Sequence, residues 1–177
     1  MILIISQIIG LTAVGLYLLS YQLKNRKQIV WTTFFSNVFY VLQYILLGAF
    51  SGAVMDALCT VGSFFAGKKH SPKLRPYIKQ IAAINLLVIS SVGVAVAVAQ
   101  HSLIELLPVA GTLFQMGGLW CEKEQTIRKL GLCSAPFWLI YNFITQAYGA
   151  ALGSVLVIIS AVTAMIRYRK KKNQTDG

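Results

Sequence analysis

The stretch KKHSPKLR (residues 68–75) separates two long apolar runs in a chain of 177 residues. Hydrophobic residues make up 56% of the chain and charged residues 12%, whereas soluble proteins have roughly 45–50% and about 25%. This composition indicates an integral membrane protein. The formal net charge of +11 then points to anionic lipid on one face of the membrane as the partner of the basic residues, and not to nucleic acid.

The apolar runs on both sides of this stretch predict seven transmembrane helices, because a spanning helix needs about 20 residues. The first run has no basic segment before it and no small-residue cleavage site, so we expect it to remain as a helix and not to be a cleaved signal peptide. The predicted spans are 2–22, 29–48, 51–67, 77–99, 103–121, 127–146 and 148–166. Gly48 and Gly52 are expected to mark the turn between the second and third spans, and Gly149 the turn between the last two.

The sixteen Lys and Arg residues predict the topology. Short loops that carry Lys and Arg stay in the cytoplasm. With seven spans, all the cations fall on one side if the N-terminus is outside and the C-terminus is cytoplasmic. The four basic clusters are Lys24, Arg26 and Lys27; Lys68, Lys69, Lys73, Arg75 and Lys79; Lys123, Arg128 and Lys129; and Arg167, Arg169, Lys170, Lys171 and Lys172.

An internal repeat is the second organising feature of the sequence. A shift of 97 residues, without a gap, superimposes the first three spans on the last three, so that helix ends and basic segments coincide. Identical pairs in this register include Leu16 with Leu113, Gln28 with Gln125, Leu42 with Leu139, Tyr44 with Tyr141, Gly52 with Gly149, Ala53 with Ala150 and Ser63 with Ser160.

Three spans reverse the side of the membrane, so the single intervening helix restores the orientation of the second copy. The sequence therefore predicts an all-α membrane protein with a 3+1+3 parallel-repeat arrangement. Its parts are unit 1 (1–67), a basic cytoplasmic linker (68–76), a linker helix (77–99), unit 2 (100–166) and a basic cytoplasmic tail (167–177). Parallel repeats of this kind are a known transporter plan, with the substrate site near the midplane.

Asp56 is the carboxylate that the pattern places inside a span. Such a group costs roughly 2.5–3.5 kcal/mol on insertion scales, so its presence needs a reason. We predict that Asp56 couples transport to a proton or another cation, or binds a cationic substrate. The alternative is a carboxylate that reaches the outer interface or accepts a structural hydrogen bond.

The sixth span offers a candidate substrate site. Trp138, Tyr141 and Asn142 have the spacing i, i+3, i+4, which places an aromatic platform and an amide on one helix face, and Tyr44 is the repeat partner of Tyr141. Such a face suits a small polar metabolite that is ring-bearing or hydroxylated. The alternative is packing between helices, with Asn142 as a polar contact.

Gate and hinge residues are predicted nearby. His101 and Glu105 are spaced i, i+4 at the outer end of the fifth span and could form an outer gate with Asp56, or simply a wetted helix start capped by Ser102. Two prolines, Pro108 and Pro136, each free a backbone carbonyl and are predicted hinges; the alternative is that both are tolerated bends.

The sequence shows no pattern typical of an enzyme, a cofactor site or a metal site. Cys59, Cys121 and Cys133 lack CxxC spacing, and the topology places His70 and His101 on opposite sides of the membrane. The chain also has no glycine-rich phosphate loop and no paired carboxylates in one helix. We therefore expect no enzymatic activity and no bound cofactor.

Four stretches of the chain resemble one protein family. They are LQYILLGAFSG (42–52), ELLPVAGT (105–112), SAPFWLIYNF (134–143) and the terminal IIS with IRY (158–168). They are similar to the YgjV family of bacterial inner-membrane proteins, which implies a multi-pass protein of the cytoplasmic membrane. The 3+1+3 layout in turn resembles the group of SWEET sugar transporters, PQ-loop proteins and PnuC vitamin transporters, although that group's Pro-Gln signature is absent, since Val109 follows Pro108.

The resemblance to this group implies a small-solute transporter, either a uniporter or a proton-linked carrier, that alternates access between its two units. The group's sugar-binding asparagines on the third helix of each unit are replaced here by Thr60, Ser63 and Ser160, so a sugar substrate is not implied. The alternative function is a non-transporting membrane scaffold or sensor. Assembly into a homo-oligomer is left open by the sequence.

Overall fold

The computed structural model is all-helical and describes the backbone of residues 2–175 and the side chains of residues 2–160 and 163. Seven α-helices form within these residues, which confirms the predicted number of helices. Short 3₁₀ turns, Arg75–Tyr77 and Leu103–Glu105, precede the fourth and fifth. The helices are α1 (Ile2–Gln22), α2 (Arg26–Leu47), α3 (Phe50–Gly67), α4 (Ile78–Ala99), α5 (Leu106–Trp120), α6 (Glu124–Ile144) and α7 (Tyr148–Thr175).

Five segments of the described chain are long and apolar enough to cross a membrane. They are Ile2–Gln22, Arg26–Leu47, Phe50–Gly67, Arg75–Ala99 and Leu103–Trp120. Helix α6 is more polar because its first turns carry Glu124, Arg128 and Lys129. In α7 the side chains are described continuously only over Tyr148–Ser160, which is apolar but too short to be a span by itself, and the apolar sequence continues to residue 166. That all seven helices cross the membrane therefore stays a prediction.

Several helices extend beyond their predicted ends into the basic segments. Helix α2 begins at Arg26 and not at residue 29, α6 begins at Glu124 and not at residue 127, and α7 continues to Thr175, past the predicted end at residue 166. Lys, Arg and Gln are good helix formers, so a basic segment prolongs a helix as readily as it ends one. The tail predicted at residues 167–177 is thus a continuation of α7 up to residue 175.

The two short turns differ in how the backbone reverses. Gly48 adopts a left-handed conformation (φ 69°) after α2, as expected for a glycine that ends a helix. After α6 the left-handed residue is Gln146 (φ 59°). Gly149, the residue predicted to mark this turn, lies inside the first turn of α7, and Gly52 has the same position in α3. These two glycines therefore allow close packing, since a Cβ atom on Gly52 would meet the Tyr141 ring at 2.9 Å.

The helices pack in an order that closes a ring. Helix α2 packs against α1 and α3, and α6 packs against α5 and α7. Helix α1 also packs against α7, and α3 against α5. Helix α4 packs against α3 and α5, and its buried residues are few: Ile89, Gly93 and Ala97. The six helices of the ring enclose the polar side chains discussed next, while α4 lies outside.

Candidate functional site

A small polar cavity lies between the helices of the ring. Its volume is about 30 Å³, room for one or two waters, because one water needs roughly 10–15 Å³. Every helix of the ring contributes to the lining. The polar and aromatic side chains in the lining are Tyr17, Tyr40, Tyr44, Asp56, Gln115, Ser134, Trp138, Asn142 and Ser154.

A second cavity of about 20 Å³ lies next to the first. Tyr17 and Gln115 line both cavities, while Tyr21 and Arg128 line only the second. The amide of Gln115 donates a hydrogen bond to Oδ1 of Asn37 at 3.1 Å, across α5 and α2. Buried polar groups therefore follow one another along the interior of the ring.

The structure brings together the four side chains predicted to bind substrate. The hydroxyl of Tyr44 donates a hydrogen bond to Oδ1 of Asn142. The Tyr44 ring stacks on Trp138, with centroids 5.9 Å apart and planes at 18°. Tyr141 meets both rings at steep angles, at 6.1 Å from each. Two separate helices thus build a single aromatic cluster around the Asn142 amide.

Three of these four side chains line the cavity, and Tyr141 does not. Its hydroxyl accepts a hydrogen bond from the backbone N–H of Gly52 at 2.9 Å, which joins α6 to the start of α3. Tyr141 therefore has a packing role in the described state, and Tyr44, Trp138 and Asn142 are the members of the cluster that face the cavity.

Asp56 lies on the cavity wall with only 3% of its surface exposed. It follows the start of α3 by six residues, about 9 Å along the axis at 1.5 Å per residue. Among the described residues, none donates a hydrogen bond to its carboxylate, and no Lys, Arg or His forms an ion pair with it. Within the described part of the chain, the Asp56 carboxylate is therefore buried and has no partner.

The predicted gate pair is not formed. His101 is exposed and lies in a turn with φ 50°, and Glu105 ends the 3₁₀ turn before α5, so the i, i+4 spacing of a continuous helix does not apply. No ion pair joins them in the described part of the chain. Ser102 does not cap the turn with its side chain either, so the capping alternative also fails.

The two predicted hinge prolines have different surroundings. Pro136 lies inside α6, two residues before Trp138, where a proline removes a helical hydrogen bond. Pro108 lies in the first turn of α5, where the backbone N–H would have no helical partner. Pro136 therefore has the physical basis for a hinge and Pro108 does not. The difference arises because α5 begins at Leu106, later than the predicted start at residue 103.

Sequence reasoning missed the role of Arg26. We call the end of the bundle where α1, α3 and α5 end the basic end. There the Arg26 side chain is 8% exposed and donates hydrogen bonds to three carbonyls. Two are at the end of α5, Cys121 at 2.9 Å and Leu119 at 2.7 Å, and the third is Ala66 of α3 at 3.3 Å. One cation thus joins the start of α2 to the ends of α3 and α5.

Arg128 makes the reciprocal contact. This side chain from the start of α6 donates to the carbonyl of Leu23, just after α1, at 2.8 Å. Under the 97-residue shift α1 corresponds to α5 and α2 to α6, so each arginine caps the first helix of the other half of the chain. Cations are favourable at a helix C-terminus because the carbonyls there are unpaired and carry partial negative charge.

Lys69 completes the contacts of the basic end. It forms an ion pair with Glu122 at 2.8 Å and donates to the carbonyl of Trp120 at 3.2 Å. Burial lowers the pKa of Lys69 below its ordinary value. The hydrogen bond from Lys69 lowers the pKa of Glu122, whose side chain is 67% exposed. The desolvation of Lys69 thus outweighs the attraction of its partner.

Neutral groups hold the opposite end, where α2 and α6 end and α3 and α7 begin. Gln7 of α1 donates from Nε2 to the carbonyl of Gln146 at 3.1 Å, and its Oε1 accepts from the N–H of Gly149 at 2.9 Å. The Tyr44–Asn142 and Gly52–Tyr141 hydrogen bonds lie toward this same end. Cations therefore join the helices at one end of the ring, and neutral hydrogen bonds join them at the other.

The sequence matches the family model Imp-YgjV, described as a bacterial inner membrane protein, over residues 4–172. The chain belongs to this family. The family description agrees with the apolar helices and with the predicted bacterial inner membrane. No curated protein and no solved structure matches the chain.

In this YgjV family member, the signal that could have revealed the arginine contacts is positional. Arg26 is the first residue of α2 and Arg128 is the fifth of α6, both beside helix ends with unpaired carbonyls. The positive-inside rule predicts only the side of the membrane on which Lys and Arg residues lie. It therefore does not distinguish Arg26 and Arg128 from their exposed neighbours Lys27 and Lys129.

Proposed function

We propose that this YgjV family member carries a small polar solute across the bacterial inner membrane by alternating access between unit 1 (1–67) and unit 2 (100–166). The observation that carries the proposal is the cavity between the two units, with the buried carboxylate of Asp56 on its wall and no partner for it among the described side chains. Ionisable groups buried in membrane helices mark substrate and ion pathways more often than they serve packing.

The order of helix contacts supports two equivalent units. The 97-residue shift exchanges the contact between α1 and α7 with the contact between α5 and α3. In a similar way, α2 extends an arginine to the end of α5 and α6 extends one to the end of α1, although Arg26 and Arg128 are not at matching positions of the shift. Reciprocal contacts of this kind are expected of two parallel units related by an axis along the membrane normal.

The described conformation corresponds to an occluded state in this mechanism. At the basic end Arg26 and Arg128 hold helix ends together, and at the opposite end the side chains of Tyr44, Asn142 and Gln7 do so. Transport requires that each set of contacts opens while the other stays closed. With the N-terminus outside, the basic contacts form the cytoplasmic gate.

Within this mechanism five of the predicted residues have a role. Asp56 is the coupling group, and Tyr44, Trp138 and Asn142 contact the solute, since all four line the cavity. Pro136 lies just before the aromatic cluster in α6, so a bend there would move Trp138 relative to Tyr44.

Uptake into proteoliposomes tests the proposal. Candidate sugars, nucleosides and vitamins are compared for the wild type, Asn142→Ala and the matched control Gln100→Ala, whose side chain is exposed after α4. We expect one class to accumulate with the wild type and the control, and uptake to fall by about tenfold or more in Asn142→Ala. Absence of uptake for every class would contradict transport, and unchanged uptake by Asn142→Ala would contradict the site.

A non-transporting scaffold or sensor is the second candidate, and the small volume of the closed cavity favours it. Thiol accessibility separates the two functions. In a cysteine-free background, a cysteine replacing Ser134 on the cavity wall should react with a membrane-impermeant maleimide if the cavity opens to water during a transport cycle. A scaffold would leave this cysteine unreactive under all conditions that leave the protein folded.

A further inference from the structure

Among the side chains that line the larger cavity, Asp56 is the one that can carry a formal charge at neutral pH. Its companions are tyrosines, amides, hydroxyls, a tryptophan and two aliphatic residues. No described cation compensates it. A buried carboxylate is ordinarily paired, because an uncompensated charge in a low-dielectric interior is strongly unfavourable. Among the described residues no positive group neutralises this carboxylate, so a bound proton or a cation from outside the chain must do so.

The walls around Asp56 suit a cation. The rings of Tyr40, Tyr44 and Trp138 form a stacked series, with centroids 6.3 Å and 5.9 Å apart. Aromatic rings attract cations through the negative charge of their faces, most strongly where water is excluded. Amide oxygens and tyrosine hydroxyls of the lining add neutral acceptors.

One carboxylate sets the charge of the ligand. The described residues contain no group of three His, Cys, Asp or Glu side chains that could hold a metal ion. Divalent ions take several oxygen ligands and usually more than one carboxylate. The volume of about 30 Å³ also limits the closed state to a small occupant.

We propose that this cavity binds a monovalent cation, an alkali ion or a small primary ammonium, with the Asp56 carboxylate as its counter-ion beside Tyr44 and Trp138. This inference rests on the proposed function, because it states the charge of the solute that the carrier moves or of the ion to which transport is coupled. The same site chemistry serves a coupling ion and a cationic solute.

Thermal unfolding of the purified protein in lipid nanodiscs tests the proposal. Sodium, potassium and methylammonium chlorides are compared at constant ionic strength, with N-methylglucamine chloride as the bulky reference salt. We expect at least one small cation to raise Tm saturably in the wild type. Stabilisation by an alkali ion identifies a coupling ion, and stabilisation by methylammonium alone identifies an amine solute.

The variant Asp56→Asn should bind that cation at least about tenfold more weakly, since it removes the charge partner and keeps the shape. The matched control Glu124→Gln removes a carboxylate at the start of α6, away from the cavity, and should respond as the wild type does. No stabilisation by any of the three cations, or equal stabilisation of Asp56→Asn, would overturn the proposal.

A second measurement uses the wild type alone, in case Asp56→Asn does not fold. Dicyclohexylcarbodiimide modifies carboxyl groups within membranes, and a bound cation should protect Asp56 from it. Modification that is unaffected by the cations would overturn the proposal. Saturable, Asp56-dependent cation binding without uptake of any solute would contradict the transport function and support the cation site. Solute uptake that does not depend on these cations would support transport and contradict the cation site.

Discussion

The two ends of the helix ring are closed by different chemistry. At the basic end, Arg26 and Arg128 donate to carbonyls at the ends of α5 and α1. At the opposite end, Tyr44 and Gln7 make neutral hydrogen bonds. Hydrogen bonds from charged groups are roughly twice as strong as neutral ones, and the helix C-terminus adds to them. We therefore expect the opposite end to open more readily than the basic end.

The largest effect is expected for Arg26→Ala. The substitution leaves the carbonyls of Leu119 and Ala66 without their described side-chain donor and the carbonyl of Cys121 with Lys69 alone, so we expect a loss of about 2–3 kcal/mol in the free energy of unfolding. Reversible unfolding in mixed micelles measures it. Lys27→Ala is the control, because Lys27 is the exposed cation next in sequence. Equal effects of the two variants would show that only net charge matters.

Arg128→Ala should have a smaller effect in the same assay. Its guanidinium makes one described hydrogen bond to a carbonyl, that of Leu23, so we expect about 1–2 kcal/mol. Lys129→Ala, an exposed cation one residue on, provides the comparison. A loss larger than that of Arg26→Ala would contradict the ranking of the two contacts.

At the opposite end, Tyr44→Phe should cost about 1 kcal/mol, because it removes one neutral hydrogen bond and keeps the ring stack on Trp138. Tyr148→Phe removes a hydroxyl from a tyrosine that is 54% exposed and should be neutral. Unfolding measurements on the two variants give the difference. If Tyr44→Phe lowers the free energy of unfolding as much as Arg26→Ala does, the two ends are equally stable.

The smallest effect is a pH dependence from Glu122. Lys69 lowers the pKa of this carboxyl in the folded state, so its contribution is present above the ordinary glutamate value of about 4.3 and is lost as pH falls through the lowered value. The contribution is small because Glu122 is 67% exposed. Glu122→Gln should match the wild type at acidic pH and be slightly less stable at neutral pH, while Glu124→Gln follows the wild type. A constant difference between Glu122→Gln and the wild type would exclude the ion pair as its cause.

The sequence predicted the features that depend on local pattern. Apolar runs predicted seven helices, Gly48 marked a turn, and the i, i+3, i+4 spacing brought Trp138 and Asn142 to one face. Asp56 stood out because a carboxylate inside an apolar run is costly. Each of these signals lies within one helix or one turn.

Features that depend on contacts between distant segments were not predictable. The acceptors of Arg26 and Arg128 are backbone carbonyls between 40 and 105 residues away, and a carbonyl has no signature in a sequence. The gate pair failed because a turn at His101 interrupts the helical spacing. The basic tail was expected to end α7, yet Lys and Arg prolong the helix.

Distances across both ends test most directly that the two units open alternately. Spin labels in place of Lys24 and Lys123 report on the basic end, and labels in place of Phe50 and Tyr148 report on the opposite end; all four side chains are exposed. Pulsed electron paramagnetic resonance in nanodiscs gives both distances, with and without Arg26→Ala. Alternating access predicts that Arg26→Ala lengthens the distance at the basic end while the opposite end stays closed. A single, unchanged pair of distances in every sample would contradict alternating access.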